Sequence, residues 1–112
     1  DHSIKVELAQ TSPEQARGLM YRRDMPWNEG MLFAYPDERV LSFWMKNTFI
    51  PLSIAFLDTE GQILRIVRMK PQDLSSHSSG QPARYALEMN DGWFEKAGLR
   101  AGDRAVFTLP AP

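Results

Sequence analysis

Residues 52–69 read LSIAFLDTEGQILRIVRM and contain the clearest local indication of secondary structure in the chain. Two largely apolar runs, Leu52–Asp58 and Gln62–Met69, flank the dipeptide Glu60-Gly61. A glycine-containing turn between two such runs is typical of a β-hairpin, because glycine adopts the backbone angles that tight turns require. These residues therefore predict an antiparallel hairpin.

Segments of strand length continue on both sides of this hairpin. Some alternate apolar and polar residues and others are continuously apolar, and both patterns are typical of short strands. The predicted strands are Ile4–Ala9, Met31–Tyr35, Leu41–Lys46, Tyr85–Met89 and Arg104–Leu109. Residues Lys70–Ala83 are rich in Ser, Gly and Pro, so they predict a long exposed loop.

Two short helices are predicted between these strands. Ser12 is a suitable N-cap with Gln15 completing a capping box, and the helix that follows extends to about Tyr21. A second helical turn extends from a cap at Asp91 to Ala97. Neither is long enough to act as the crossover of a parallel βαβ fold.

The chain is therefore predicted to be mainly β with two short helices, as an α+β single domain that spans residues 1–112. Six or seven short strands in this length favour a small closed or nearly closed β-barrel. The segment Gly98–Asp103, GLRAGD, resembles the Gly-Asp turns of cradle-loop barrels.

Composition excludes several classes of partner and cofactor. The net charge is −1 with no polybasic segment, so nucleic acid is not an expected partner. No apolar run approaches the ~20 residues that span a bilayer. Cysteine is absent, which removes thiol nucleophiles and Cys-based zinc sites. The 6 methionines and 2 histidines lack the spacing of metal ligands, so we expect no metal and no cofactor.

Several motifs, taken in order, resemble one protein family. They are RGLM (Arg17–Met20), GMLF (Gly30–Phe33), FWMKNT (Phe43–Thr48), IPL (Ile50–Leu52), YALE (Tyr85–Glu88) and GLRAGD (Gly98–Asp103). In this order and spacing they resemble domain of unknown function 192 (DUF192, also called UPF0127). The resemblance covers the chain from about Ile4 to Leu109.

The resemblance implies a small, β-rich, barrel-like domain. Many members follow an export or lipoprotein signal, which implies a periplasmic or other extracytoplasmic location. No activity is established for the family, so no catalytic residue carries over. Members usually have Asp after the IPL motif, whereas this chain has Ser53. An acid-dependent function at that position is therefore not expected in this chain.

The segment Phe43–Pro51, FWMKNTFIP, supplies the first candidate site residues. Lys46 and Asn47 follow an apolar run, which predicts that they lie at the rim of the barrel. Lys46 could bind an anion or carboxylate there. The more ordinary interpretation is that Lys46 pairs with a carboxylate and Asn47 caps a turn.

Glu88 lies in an apolar strand and shares a face with Ala86. If the core is on the opposite face, Glu88 is exposed. If the mouth of the barrel is on its own face, Glu88 could meet Lys46 or Arg17, as a structural clasp or as an acid–base couple. We also expect at least two of the three Trp residues in the core and one at the rim, with Trp27 the best candidate for a shallow ligand site.

Three hypotheses for function remain open. The first is a non-enzymatic accessory module of the cell envelope that binds a small molecule or an envelope protein, with a pocket near Lys46, Asn47 and Glu88. The second is an enzyme that uses Lys46 with Glu88 or Arg17 in acid–base chemistry. The third gives these residues a purely structural role.

Overall fold

The computed structural model describes residues 2–110 and contains one five-stranded mixed sheet. Its strands are β1 (Lys5–Ala9), β2 (Glu29–Phe43), β3 (Leu52–Leu57), β4 (Ile63–Met69) and β5 (His77–Asn90). Two short helices, α1 (Ser12–Arg17) and α2 (Trp93–Lys96), complete the regular structure. The predicted class, mainly β with two short helices, is confirmed.

The predicted closed barrel is wrong, because the sheet is open. The strand order is β1-β2-β5-β3-β4, which leaves β1 and β4 as edges that do not pair with each other. Arg104–Leu109, predicted as the last strand, forms none and pairs at one isolated bridge between Arg104 and Gln62. The strand that could have helped to close the sheet is therefore missing from the described part of the chain.

The predicted hairpin is confirmed as the antiparallel pair of β3 and β4. In its turn, Asp58 Oδ1 accepts hydrogen bonds from the amides of Glu60 and Gln62, both at 2.9 Å. Gly61 has a φ of +84°, and a Cβ there would lie 2.3 Å from the Ala105 carbonyl oxygen. The turn thus needs glycine for both conformation and space.

The predicted strand Met31–Tyr35 and the first three residues of the predicted strand Leu41–Lys46 belong to the single long strand β2, which ends at Phe43. Pro36-Asp37, a dipeptide typical of turns, lies within this strand, at an irregularity between Ala34 and Arg39 in the pairing with β5. Strand β5 also begins at His77, within the predicted loop. The pairing between the long strands β2 and β5 overrides local turn signals, since a bulge accommodates the extra residues.

The N-cap of helix α1 lies one residue earlier than predicted. Thr11, not Ser12, is the N-cap, and Glu14 completes the capping box. Gln15 instead donates from Nε2 to the carbonyls of Ala9 and Ala34, at 3.3 and 2.9 Å. The helix ends at Arg17 with Gly18 as its C-cap, not at about Tyr21 as predicted, and the connection returns to form β2 parallel to β1. A short βαβ-like crossover is thus present despite the expectation against one.

Helix α2 lacks the predicted side-chain cap. Its N-cap is Gly92, while the Asp91 carboxylate accepts two hydrogen bonds of 2.9 Å from Arg68. No helix within residues 2–110 combines the length and the apolar character that crossing a bilayer demands.

Both faces of the sheet are covered. The front face, which α1 covers, packs Phe33, Ile54, Phe56 and Ala86 among others. The back face, which α2 and residues 99–109 cover, packs a second cluster: Leu32, Ala55, Leu87, Met89, Trp93 and Phe94. Strand β5 lies at the centre of the sheet, and its residues 85–89 are buried on both faces.

Candidate functional site

A cleft of about 280 Å³ opens on the front face of the sheet. One wall comes from residues 15–20, which include the end of α1 and the turn after it. A second wall comes from β2 and from the loop that follows it. Glu88 of β5 lies at the base, and we call this feature the Glu88 cleft.

Glu88 is buried in the middle of the sheet, with 4% of its surface exposed. It lies opposite Met31 of β2 on one side and Ile54 of β3 on the other. It shares the front face with Ala86, as alternation predicted, but the alternative that it is exposed is wrong. The reason is that α1 and its flanking segments cover this face too.

Four polar or charged residues of the described chain are buried, and Glu88 alone among them has no hydrogen-bond partner for its side chain within residues 2–110. The other three are satisfied inside the fold: Thr48 Oγ1 donates to the Lys46 carbonyl, Ser53 Oγ accepts from the Gly92 amide, and Ser79 Oγ accepts from the Leu41 amide. No fully enclosed side-chain nitrogen or oxygen in this part of the chain lacks a partner. The Glu88 oxygens must therefore reach the cleft.

Burial changes the acidity of this site. Removal from water raises the pKa of Glu88 to about 8, because a buried carboxylate is poorly solvated. Burial also raises the pKa of the Tyr35 phenol, and the negative charge of Glu88 adds to that shift. Tyr35 lines the same cleft, so the charge of Glu88 acts on the phenol there.

Arg17, the last residue of α1, also lines the Glu88 cleft. Its side chain is exposed and forms no ion pair with Glu88 or with another carboxylate of residues 2–110. Gly18 follows it, and a Cβ at Gly18 would lie 3.3 Å from the Phe33 ring. Glycine thus lets the chain turn closely over the cleft wall.

The rest of the cleft wall is largely aromatic. The rings of Phe33 and Phe43 meet edge to face, with centroids 4.9 Å apart. Trp44 is half exposed and lines the cleft, whereas Trp27 is exposed elsewhere. The rim tryptophan of this cleft is therefore Trp44 instead of Trp27, and Trp93 is the one tryptophan of the described chain in the core.

Lys46 and Asn47 lie outside the lining of the Glu88 cleft. The Lys46 ammonium lies 5.3 Å from the centre of the Trp44 ring, and the side chain forms no ion pair within residues 2–110. The predicted grouping of Lys46 with Glu88 in one pocket is therefore not observed. The predicted pairing of Lys46 with a carboxylate is not observed either.

Asn47 stabilises the turn in which it lies. Its φ is +55°, a conformation that asparagine tolerates better than most residues. Its Nδ2 donates to the Tyr21 hydroxyl at 3.1 Å, and its carbonyl accepts from the Tyr21 amide at 2.9 Å. The turn-forming role expected for Asn47 agrees with these contacts.

Sequence reasoning missed several residues of the cleft wall, among them Tyr35, Trp44 and Thr48. A usable signal was present. Most of the lining belongs to the motifs RGLM, FWMKNT and YALE, which are far apart in the sequence. Their convergence could not be derived without the strand order.

Ser53 lies outside this site. It is 1% exposed, and its hydroxyl accepts a hydrogen bond of 2.9 Å from the amide of Gly92, just before α2. In this chain the position that follows IPL therefore stabilises a backbone turn.

A larger cavity of about 660 Å³ lies on the back face, between the two ends of the described chain. Apolar residues such as Leu57, Leu87 and Phe94 line it, and none of the four buried polar residues does. We therefore place the candidate site in the smaller cleft, where an unpaired buried carboxyl is available for chemistry. No cluster of three or more potential metal ligands occurs in residues 2–110.

Comparison with solved structures identifies two similar proteins. One is a proposed transcription regulator from Sinorhizobium meliloti, 38% identical, with a TM-score of 0.90 over 92% of this chain and 81% of that one. The other is a protein of unknown function from Novosphingobium aromaticivorans, 36% identical, with a TM-score of 0.87 over 90% of this chain and 73% of that one. Comparison with curated proteins gives no match.

The sequence profile of the DUF192 family, described as uncharacterized ACR, matches residues 1–107. This agrees with the motifs that line the cleft and with the extent of the two structural matches. The chain belongs to the DUF192 family.

Proposed function

We propose that this protein is a non-enzymatic binding module whose ligand site is the Glu88 cleft. The observation that supports the proposal is the buried carboxyl of Glu88, which has no partner within residues 2–110. Burying an ionisable group without a partner costs stability. A ligand that supplies the missing hydrogen-bond donor accounts for its presence.

The dimensions of the cleft favour a small molecule over a protein as the ligand. Its volume, about 280 Å³, is near the lower end of the range for small-molecule pockets, about 300–1,000 Å³. The aromatic side chains of Phe43 and Trp44 can cover an apolar part of the ligand. The donor group of the ligand then points towards Glu88.

We place this binding function in the cell envelope, as the family resemblance implies. Cell fractionation with an antibody against the full-length protein tests the location. Recovery in the cytosolic fraction would reject the envelope role without affecting the ligand site.

Thermal-shift screening tests the ligand site. The panel contains amines, sugars, short peptides and organic acids, applied to the wild type, to Glu88→Gln and to Lys46→Ala. We expect some ligands to raise the melting temperature of the wild type and of Lys46→Ala, and the shift to vanish in Glu88→Gln. Absence of any shift in the wild type, or an unchanged shift in Glu88→Gln, would contradict the proposal.

Acid–base catalysis is the second candidate, and one observation favours it. A carboxyl with a pKa of about 8 can both donate and accept a proton near neutral pH. Arg17 is the available partner, since Lys46 lies outside the cleft. NMR spectra of each bound ligand after overnight incubation separate the two candidates. Unchanged ligand indicates binding alone, and turnover that Glu88→Gln abolishes indicates catalysis.

Transcription regulation is not proposed for this chain, although one structural relative is described in that way. The helices of residues 2–110 contain 6 and 4 residues, too short for a recognition helix in a DNA groove. The net charge of −1 does not favour phosphate binding either.

A further inference from the structure

One basic and one acidic side chain line the Glu88 cleft. Arg17 is at the end of α1 and is exposed, whereas Glu88 is at the centre of β5 and is buried. They do not pair with each other, and neither pairs with another charged group of residues 2–110. The cleft therefore has an unpaired carboxyl group at its base and a separate cation in its wall.

We propose that the ligand is a small zwitterion with an aromatic body, whose ammonium group bonds to Glu88 and whose carboxylate pairs with Arg17. This inference rests on the proposed binding function and specifies the class of ligand. Free aromatic amino acids have this chemistry.

The burial of Glu88 is the reason for an ammonium group. A buried carboxylate is stable only when a positive charge and hydrogen bonds replace its lost hydration. A hydroxyl or amide of a ligand supplies the hydrogen bond but not the charge. An ammonium group supplies both and has three donors.

The protonation of Glu88 gives this binding a measurable signature. In the free protein Glu88 retains its proton at neutral pH, because burial raises its pKa to about 8. An ammonium ligand binds the ionised form and displaces that proton. The other titratable groups that line the cleft are Tyr35 on β2 and Arg17 on α1. Burial and the charge of Glu88 raise the pKa of Tyr35, so the phenol stays neutral in this range.

Arg17 determines the orientation of the ligand more than its affinity. Its guanidinium is exposed, and ion pairs in contact with water contribute little. A carboxylate near Arg17 would nevertheless leave the ammonium end free to enter the cleft. The rings of Phe33, Phe43 and Trp44 would then enclose the aromatic side chain of the ligand, which extends away from its two charged groups.

Isothermal titration with four probes that share one aromatic body tests the proposal. Phenylalanine carries both charged groups, 2-phenylethylamine carries only the ammonium group and 3-phenylpropanoate carries only the carboxylate. The fourth probe, 2-phenylethanol, carries neither. We expect phenylalanine to bind most tightly and 2-phenylethylamine up to about fivefold more weakly. The two probes without an ammonium group should bind at least about 100-fold more weakly.

Three variants assign the two contacts. Glu88→Gln should weaken phenylalanine and 2-phenylethylamine alike, by at least about 100-fold. Arg17→Gln should weaken phenylalanine alone, by up to about fivefold. Lys46→Ala is the control on a cation outside the cleft and should change neither. Circular dichroism spectra confirm that each variant is folded.

The pH dependence provides a readout that a purely structural role for Glu88 would not change. Between about pH 6 and pH 8 the affinity of the wild type for 2-phenylethylamine should rise, by up to about tenfold per pH unit, as Glu88 gives up its proton. In Glu88→Gln this rise should be absent.

The outcomes separate this inference from the proposed function. Equal or tighter binding of 3-phenylpropanoate, or full affinity in Glu88→Gln, would overturn the zwitterion proposal. Binding of a sugar or neutral peptide that requires Glu88, with none of the four probes bound, would also overturn it and would leave the binding function intact. Absence of binding by any compound would reject both.

Discussion

The front and back faces of β5 carry opposite kinds of side chain at neighbouring positions. Leu87 and Met89 point to the back face, where α2 packs Trp93 and Phe94 against the sheet. Glu88 points to the front face and is equally buried, but its carboxyl meets an open cleft. The difference indicates that the back face mainly stabilises the fold, whereas the front face combines stability with the cleft that we propose as a binding site.

The largest effect on stability should come from removing a buried side chain from the back face. Phe94→Ala removes a side chain that is 1% exposed, and we expect the free energy of unfolding to fall by about 3–5 kcal/mol. Phe49→Ala, at a ring that is 37% exposed, is the matched control and should cost clearly less. Urea unfolding measures both. A similar loss in the two variants would mean that α2 does not stabilise the back face as described.

Breaking the front face at Glu88 should change how stability depends on pH. The pKa of Glu88 is raised from 4.5 to about 8 on folding, so the folded protein binds more protons than the unfolded chain between these values. Its contribution to the free energy of unfolding is fully favourable below about pH 4.5 and is lost as the pH rises to about 8.

Glu88→Gln should therefore remove a negative slope of up to about 1.4 kcal/mol per pH unit from this window. Urea unfolding at several pH values measures the slope for each protein. Glu60→Gln, at an exposed carboxyl, is the matched control and should retain the slope of the wild type. Identical slopes in the wild type and Glu88→Gln would contradict the burial of an ionisable Glu88.

The turn beside the cleft should show a smaller effect. Asn47→Ala removes the hydrogen bond to the Tyr21 hydroxyl and puts a less tolerant residue at a φ of +55°, so we expect a loss of about 1–2 kcal/mol. Asn47→Gly loses the same bond but relieves the backbone, and it should be the less destabilised variant. The reverse order in urea unfolding would argue against backbone conformation as the reason for asparagine.

The smallest effect should come from Lys46. Its ammonium contacts the Trp44 ring in water, so Lys46→Ala should change the free energy of unfolding by about 0.5 kcal/mol or less. Calorimetry should show that the affinity of the Glu88 cleft for its ligand is the same in Lys46→Ala as in the wild type. A large loss of affinity in Lys46→Ala would show that Lys46 takes part in ligand binding.

The sequence was sufficient to predict those elements whose structure depends on residues close together along the chain. The hairpin of β3 and β4 needs one short turn around Gly61, and that turn is visible in the sequence. The open sheet was not predictable, because it depends on β5 pairing with both β2 and β3 across long separations. A barrel and an open sheet contain similar strands and differ in which edges meet.

The same limit applies to the site. Glu88 was recognisable as a charge within an apolar strand, and Arg17 lay in a motif. Their common cleft and the separation of Lys46 from it depend on how α1 folds over the front face. Lys46 drew attention because it follows an apolar run, but β2 ends at Phe43 and leaves Trp44 and Lys46 in an exposed loop.

The proposed site depends on Glu88 being a buried carboxyl that faces the cleft. Its most direct test is a carbon-13 NMR titration of the Glu88 side-chain carboxyl in the full-length protein, assigned by comparison with Glu88→Gln. We predict a pKa of about 8 in the free protein. A pKa near the ordinary value of 4.5 would contradict the account, because it would show that the carboxyl is hydrated or already paired.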